Sequence, residues 1–474
     1  TVLAGVPKVI YINGSNGSDA NDGATTKTPI KTFARAKELL NANDLNTIYV
    51  MGTVTVSGNE TWELGNDAGV SGTIKRYSSF KNALINIPKN ANLTLGNIII
   101  DGGRNENISA SQPLVTVQAD AALTLGQGAV LQNNTNTGSV RGGAINNKGK
   151  LTIEDGALIQ KNTTVESGGG IYSTGSIEMN GGEISANSST KWSGAQNKST
   201  GGGVCIGPNG YMEMNDGLIA KNSTTGYLAF GGGIALGDAA AREGMKLVMN
   251  GGTIESNVCK GNGGGIAVWT GGEAEINGGN IINNSCNSNT TDWTLSYFGG
   301  GGIYVNKGAT LTLKTVEVTN NKGLTGNGIS ACPTSDVRFY IKNGGVFYGN
   351  GSSIWISTTT GGSGKVPVSI TNYTLNGYKY NWNNGEITTE DLNTVLGKEG
   401  IGLNSGLTME QGKSAAEFCN VHITGNSSGT GGKAYPGGGI GCNGTLIIGE
   451  ASNDLTLEKK VDGSAAPLDE QFDF

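Results

Sequence analysis

Gly142-Gly143-Ala144-Ile145, then Leu151-Thr152-Ile153, then Leu158-Ile159-Gln160-Lys161-Asn162: this phrase decides the fold, because the chain repeats it five more times. The second copy reads Gly168-Gly169-Gly170-Ile171, Ile177-Glu178-Met179, Glu183-Ile184-Ser185-Ala186-Asn187, and later copies end at Asn222, Asn257, Asn284 and Asn321. Fixed anchors around a gap of variable length are the signature of a stacked solenoid, where each repeat contacts only its neighbours. Period-2 alternation turns Leu151 and Ile153, Ile177 and Met179, and Met212 and Met214 inward. Between such pairs one outward column runs Thr152, Glu178, Glu213, Val248, Glu275 and Thr312.

Two columns of asparagine follow from the same alignment. One is Asn180, Asn215, Asn250 and Asn277, each just after a strand, and the other is the closing set Asn162 to Asn321. Asparagines stacked at the strand spacing of about 4.8 Å can bond amide to amide and tolerate left-handed turn geometry. These columns are read as structural. The glycine clusters look like phosphate loops, but no Gly-Lys-Ser/Thr follows them, and their repetition argues for turns. Cys259 and Cys286 share one offset after Asn257 and Asn284 and should stack. A column of small buried thiols is the simpler reading of that pair and a disulfide the alternative.

Composition agrees with this picture. Glycine accounts for 81 of 474 residues without a Gly-X-Y period, and proline for only 9, which excludes collagen and points to turn punctuation. A net charge of -6 argues against a nucleic-acid partner, which needs a basic stripe. No apolar run approaches the roughly 20 residues of a membrane helix, so no membrane insertion is expected of this segment. The six cysteines lack the short paired spacing of a zinc site, and no metal site is expected. Asp19-Ala20-Asn21-Asp22-Gly23 is only loosely like a calcium loop. No other cofactor is implied.

The ends differ from the middle. Residues 1–45 read as a strand, Val9-Ile10-Tyr11-Ile12, and an amphipathic helix with Phe33, Ala36, Leu39 and Leu40 on one face, which would cap the first rung. Residues 46–450 read as the solenoid, with an irregular, aromatic-rich insertion at about 334–420. The only histidine, His422, alternates outward from Val421 and Ile423 and is read as a solvated strand residue.

The opening, Tyr11-Ile12-Asn13-Gly14-Ser15-Asn16-Gly17-Ser18-Asp19-Ala20-Asn21-Asp22-Gly23 and then Thr28-Pro29-Ile30-Lys31-Thr32-Phe33, resembles that of secreted pectin-lyase-like parallel β-helix proteins. That resemblance implies an all-β, right-handed parallel β-helix of three short parallel sheets with an N-terminal helical cap. It leaves the chemistry open, since the superfamily includes lyases, hydrolases, adhesins and phage spikes. The GG[GA]I phrase also resembles the repeats of polymorphic outer-membrane adhesins, with Ile or Val where that family has Phe. Residues 451–474 read as a linker followed by Leu455-Thr456-Leu457-Glu458-Lys459-Lys460-Val461, which resembles the first strand of collagen-adhesin B-type, pilin-like Ig modules of Gram-positive surface proteins. The resemblance implies an extracellular, cell-wall-anchored protein, covalently attached through a region C-terminal to this chain. In that family a strand lysine forms an isopeptide bond, and Lys459 or Lys460 stands at the matching position.

The variable gap always falls between a closing asparagine and the next glycine cluster, so the long loops leave from one corner. They carry Trp192, Tyr227, Phe230, Trp293, Tyr297, Phe298 and Tyr435 in an otherwise aromatic-poor chain. Aromatic faces among Asn, Ser and Thr suit sugar rings, so these seven residues are the candidate carbohydrate-binding set, with a host-surface glycan as the expected partner. The alternative is that they only pack the loops onto the coil. An enzyme would need acids: Asp292 beside Trp293, and Glu178 stacked on Glu213, where like charges raise one carboxyl into an acid/base pair. A glycoside hydrolase acting on host or plant oligosaccharides is therefore the second expectation, and a structural spacer the third. A lyase is disfavoured, because no acidic calcium cluster with a neighbouring base is visible.

Overall fold

A computed structural model of the chain describes residues 9–43, 47–64, 72–190, 199–226, 229–237, 243–286, 299–306, 308–313, 316–323 and 328–330, and beyond these the strand backbones up to residue 449. The architecture is an all-β parallel β-helix. Each regular rung passes through four ladders. The second regular rung shows them: Ile171–Ser173 belongs to sheet I, Ser176–Met179 to sheet II, Glu183–Ser185 to sheet III and Ser188–Ser189 to sheet IV. Sheets I, II and III contain 13, 12 and 12 strands, while sheet IV holds 8 two-residue strands. The expected three sheets are thus joined by a narrow fourth, made by the two residues after each closing asparagine.

Register follows the sequence alignment rung by rung. Thr152 pairs with Glu178, Glu178 with Glu213, Glu213 with Val248, Val248 with Glu275 and Glu275 with Thr312. The flanking Ile177, Met179, Met212, Met214, Leu247 and Met249 are fully buried in one continuous core. Each such side chain contributes roughly 1.5–3 kcal/mol relative to exposure. The glycine cluster closes the rung for two different reasons. Gly201 sits at φ 64, and a Cβ on Gly202 would lie 2.3 Å from the carbonyl oxygen of Gly232, so neither position accepts a side chain.

The helix Phe33–Asn43 covers the first rung as expected. Phe33, Ala36 and Leu40 are buried, and Phe33 stacks on Trp62 at 4.3 Å between ring centroids. Asp19 secures the helix start by accepting hydrogen bonds from the Lys31 and Thr32 amides and from the Thr32 hydroxyl.

At the far end the spatial order of strands departs from their order along the chain. Val316–Thr319 pairs with Val421–Thr424, and Asp336–Phe339 with Thr445–Gly449, so the coil resumes at Val421 directly on the rung that left off near Phe339. Strands of the intervening segment stack beyond it: Ile354–Ile356 pairs with Ile440–Cys442, and Val368–Thr371 with Thr445–Gly449. His422 stands in register with Glu317.

Candidate functional site

On the outer side of sheet II, Glu178 and Glu213 are side by side in adjacent rungs. Their surroundings differ from an acid/base pair. Lys150 Nζ lies 2.8 Å from Glu178 Oε2, and its hydrogen bond, together with one from Asn180, holds the Glu178 carboxyl below the usual carboxylate range. The expected upward shift is therefore not met at Glu178, where the Lys150 and Asn180 bonds outweigh the effect of burial. Glu213 accepts from the Tyr211 hydroxyl at 3.2 Å and from Asn250 at 3.1 Å. Burial first, and then the Glu213 charge, push the Tyr211 phenol up. On this face Glu178 is ion-paired and Glu213 is held by neutral donors.

The inner asparagine column is buried in the core. Asn222 shows its chemistry in full: Oδ1 accepts from the Asn187 amide and the Asn187 side chain, at 2.9 and 3.1 Å. Its Nδ2 donates to Asn257 Oδ1 at 3.0 Å and to the Ile184 carbonyl at 2.8 Å. Every polar valence is used, which is the condition for burying an amide. The left-handed residue is not the asparagine itself, as expected, but the one before it: Lys161, Ala186, Lys221, Ser256, Asn283 and Asn320 all lie at φ between 54 and 57. Forcing Ala186 or Lys221 there costs about 1–2 kcal/mol each, offset by the amide bonds the turn permits.

The ladder has a direction and a charged head. From Asn162 onward each inner Nδ2 donates to the asparagine of the following rung. Ahead of it, Asn134 donates its backbone N–H to Asn162 Oδ1 and its Nδ2 to the Gln112 and Gly143 carbonyls, and its Oδ1 accepts from Arg76 Nη2 at 3.1 Å. Arg76 is fully buried and also donates to the Phe80 and Asn82 carbonyls. Burial pushes its guanidinium down to about 10, so it is charged at neutral pH. The Asn134 amide oxygen and two carbonyls take the place of a carboxylate partner. The outer column runs the opposite way: Asn215 donates to Asn180, Asn250 to Asn215 and Asn277 to Asn250, at 2.8–2.9 Å. Its donor end at Asn180 meets Glu154 and Glu178.

At the loop corner the outer side of sheet I is covered. The column Tyr172, Cys205, Ala235, Ala267, Tyr304 and Ser330 should face solvent by alternation, yet every member is buried. Phe230 lies over it, 5% exposed, its ring centroid 3.9 Å from that of Trp269 and 6.4 Å from that of Tyr304. Of the candidate aromatics this one packs the loop onto the coil, because Ala267 leaves room for its ring. Trp269 is half-buried beside it. Trp192, Tyr227, Asp292, Trp293, Tyr297, Phe298 and Tyr435 lie outside the described residues. Trp269 and Tyr304 were absent from the expected set; the small residues on the outward positions of sheet I were the signal that something covers that face.

The acids of the calcium-like loop and the stacked thiols have hydrogen-bond partners close by. Asp22 accepts from the Ala24 amide and the Thr28 hydroxyl, and Asp19 caps the helix, so both acids of the calcium-like loop are committed locally. Cys259 and Cys286 stack in register as free buried thiols. Burial pushes the Cys259 thiol up to about 11, which makes it a poor nucleophile. Comparison of the chain with protein-family models, with curated proteins and with solved structures returned no match.

Proposed function

We propose that the protein is an extracellular glycan-binding β-helix of the pectin-lyase-like type, carried on a Gram-positive cell wall, and that it engages its ligand at the loop-bearing corner. The observation that carries this reading is the aromatic cluster of Phe230, Trp269 and Tyr304, which roots that corner on an outer sheet face whose outward column from Tyr172 to Ser330 is buried. A rigid coil beneath such loops holds aromatic groups at fixed spacing, which lowers the ordering cost of binding. Trp269 offers a partly exposed ring for a sugar face, and in the sequence Trp192, Trp293 and Tyr297 belong to the variable gaps assigned to this corner. The pilin-like tail from Leu455 supports the wall location.

A hydrolase has less support. It needs one carboxyl held protonated beside an ionised one, whereas Glu178 is neutralised by Lys150. The test is a glycan array with a parallel hydrolysis screen. Wild type should bind a defined glycan class without cleaving it, and Trp269→Ala or Trp293→Ala should weaken binding at least about tenfold. Failure of wild type to bind any glycan removes this reading; cleavage abolished by Asp292→Asn replaces it with the hydrolase.

A further inference from the structure

A groove of about 630 Å³ lies at the corner between sheets II and III, opposite the loop corner in the order of faces. Leu158 and Leu218 form its floor. They stand in register on either side of Glu183 on the outer side of sheet III, and both are half-buried. Asp155 and Asp216 form its two rims from exposed turns. The intervening rung has Gly181 at that turn position, so no side chain fills the gap, and an added Cβ would crowd the Asp155 backbone at 2.8–2.9 Å.

On the neighbouring sheet II, Lys150 pairs with Glu178 and Lys246 with Glu273. Among the described residues no ion pair engages Asp155, Glu183 or Asp216. The Asn180 amide, which also lines the groove, donates to Glu154 and Glu178. An aliphatic floor between three unpaired carboxylates complements a ligand with alkyl stems and cationic heads.

We propose that this groove docks an extended, lysine- or arginine-bearing peptide segment of a partner protein. The stems of such side chains lie along the leucines while their heads reach the rim acids. Asp155 and Asp216 are two rungs apart, roughly 10 Å at the strand spacing, a span crossed by about three residues of extended chain. Among the described residues no aromatic ring lines the groove, so a sugar would find no stacking surface among them. The site is separate from the loop corner and does not depend on glycan binding there.

The test uses the whole chain and a fluorescent hexapeptide of alternating Lys and Leu, with a Glu/Leu hexapeptide and spermine as companions. The Lys/Leu peptide should bind and the Glu/Leu peptide should not. Binding should fall about tenfold in Asp155→Asn/Asp216→Asn and in Leu158→Ser, and should persist in Glu273→Gln/Glu275→Gln, which removes the same charge from sheet II. Circular dichroism melts confirm that each variant is folded. Absence of Lys/Leu binding, equal binding of spermine, or equal loss in the sheet II variant would each overturn the proposal, the last two because they reduce it to the attraction of a net negative chain for any cation.

Discussion

The two asparagine ladders use the same side chain at the same spacing, yet one is buried and the other rims the surface. In the inner column the amides of Asn187, Asn222, Asn257 and Asn284 each make four hydrogen bonds and are fully buried. In the outer column Asn250 donates to Asn215 and Glu213 and accepts from Asn277, with solvent beside it. The difference teaches that stacking alone does not set an amide's worth; the alternative available to its partners does. A buried partner left bare has nothing to replace the bond, whereas an exposed one turns to water.

The largest break in this contrast should come from Asn222→Ala, which strips bonds from Asn187, Asn257 and Ile184 and opens a void. It should destabilise the fold by about 3–5 kcal/mol, read as a lowered melting temperature. Removing the cation at the head of the inner column should come next. Arg76→Met leaves Asn134 Oδ1 and two carbonyls unsatisfied but also removes a buried charge, so about 1–3 kcal/mol is expected. A melting temperature for Arg76→Met at or above wild type would show that the guanidinium is not needed there. For the outer column, Asn250→Ala should cost only about 0.5–1 kcal/mol; a loss as large as that of Asn222→Ala would erase the distinction.

The smallest effect sits on the Glu178 ion pair. The Glu178 carboxyl is lower in the fold than in the unfolded chain, so its contribution is present at neutral pH and is lost as pH falls through the folded value. The side chains of Lys150 and Glu178 are 56% and 37% exposed, so screening leaves little of this in overall stability. A site-resolved NMR titration is the better readout: Lys150→Met should move the Glu178 midpoint upward, and an unchanged midpoint would show that the pair does not persist in solution.

Much of this was legible in the sequence. Alternation around Glu178 and Glu213 gave the register of sheet II, and the equal offsets of Cys259 and Cys286 gave their stacking. Other features were not. Arg76 caps Asn134 from 58 positions away, a contact with no local signal. The left-handed residues include Ala186 and Lys221, which no propensity marks for that conformation; the ladder after them imposes it. The burial of Phe230 depended on seeing Cys205, Ala235 and Ala267 as a floor rather than as strand residues facing water. One further signal stands in the sequence: the outer column reads Glu154, Asn180, Asn215, Asn250, Asn277, Lys314, with an acid at its donor end and a base after its acceptor end. Lys314 lies outside the described residues. For the candidate site, sequence found the corner but not which aromatics are consumed in holding it together.

The order of strands at the far end bears on how the chain is made. Rungs up to Phe339 can dock one after another as they leave the ribosome, each on a template already in place. Ile354–Ile356 and Val368–Thr371 have no such template until Ile440–Cys442 and Thr445–Gly449 have been synthesised and laid down. An earlier stretch of chain must therefore wait for a later one. Once docked, it pairs with the free edge of the last coil strands, a surface that would otherwise recruit the strand of another molecule.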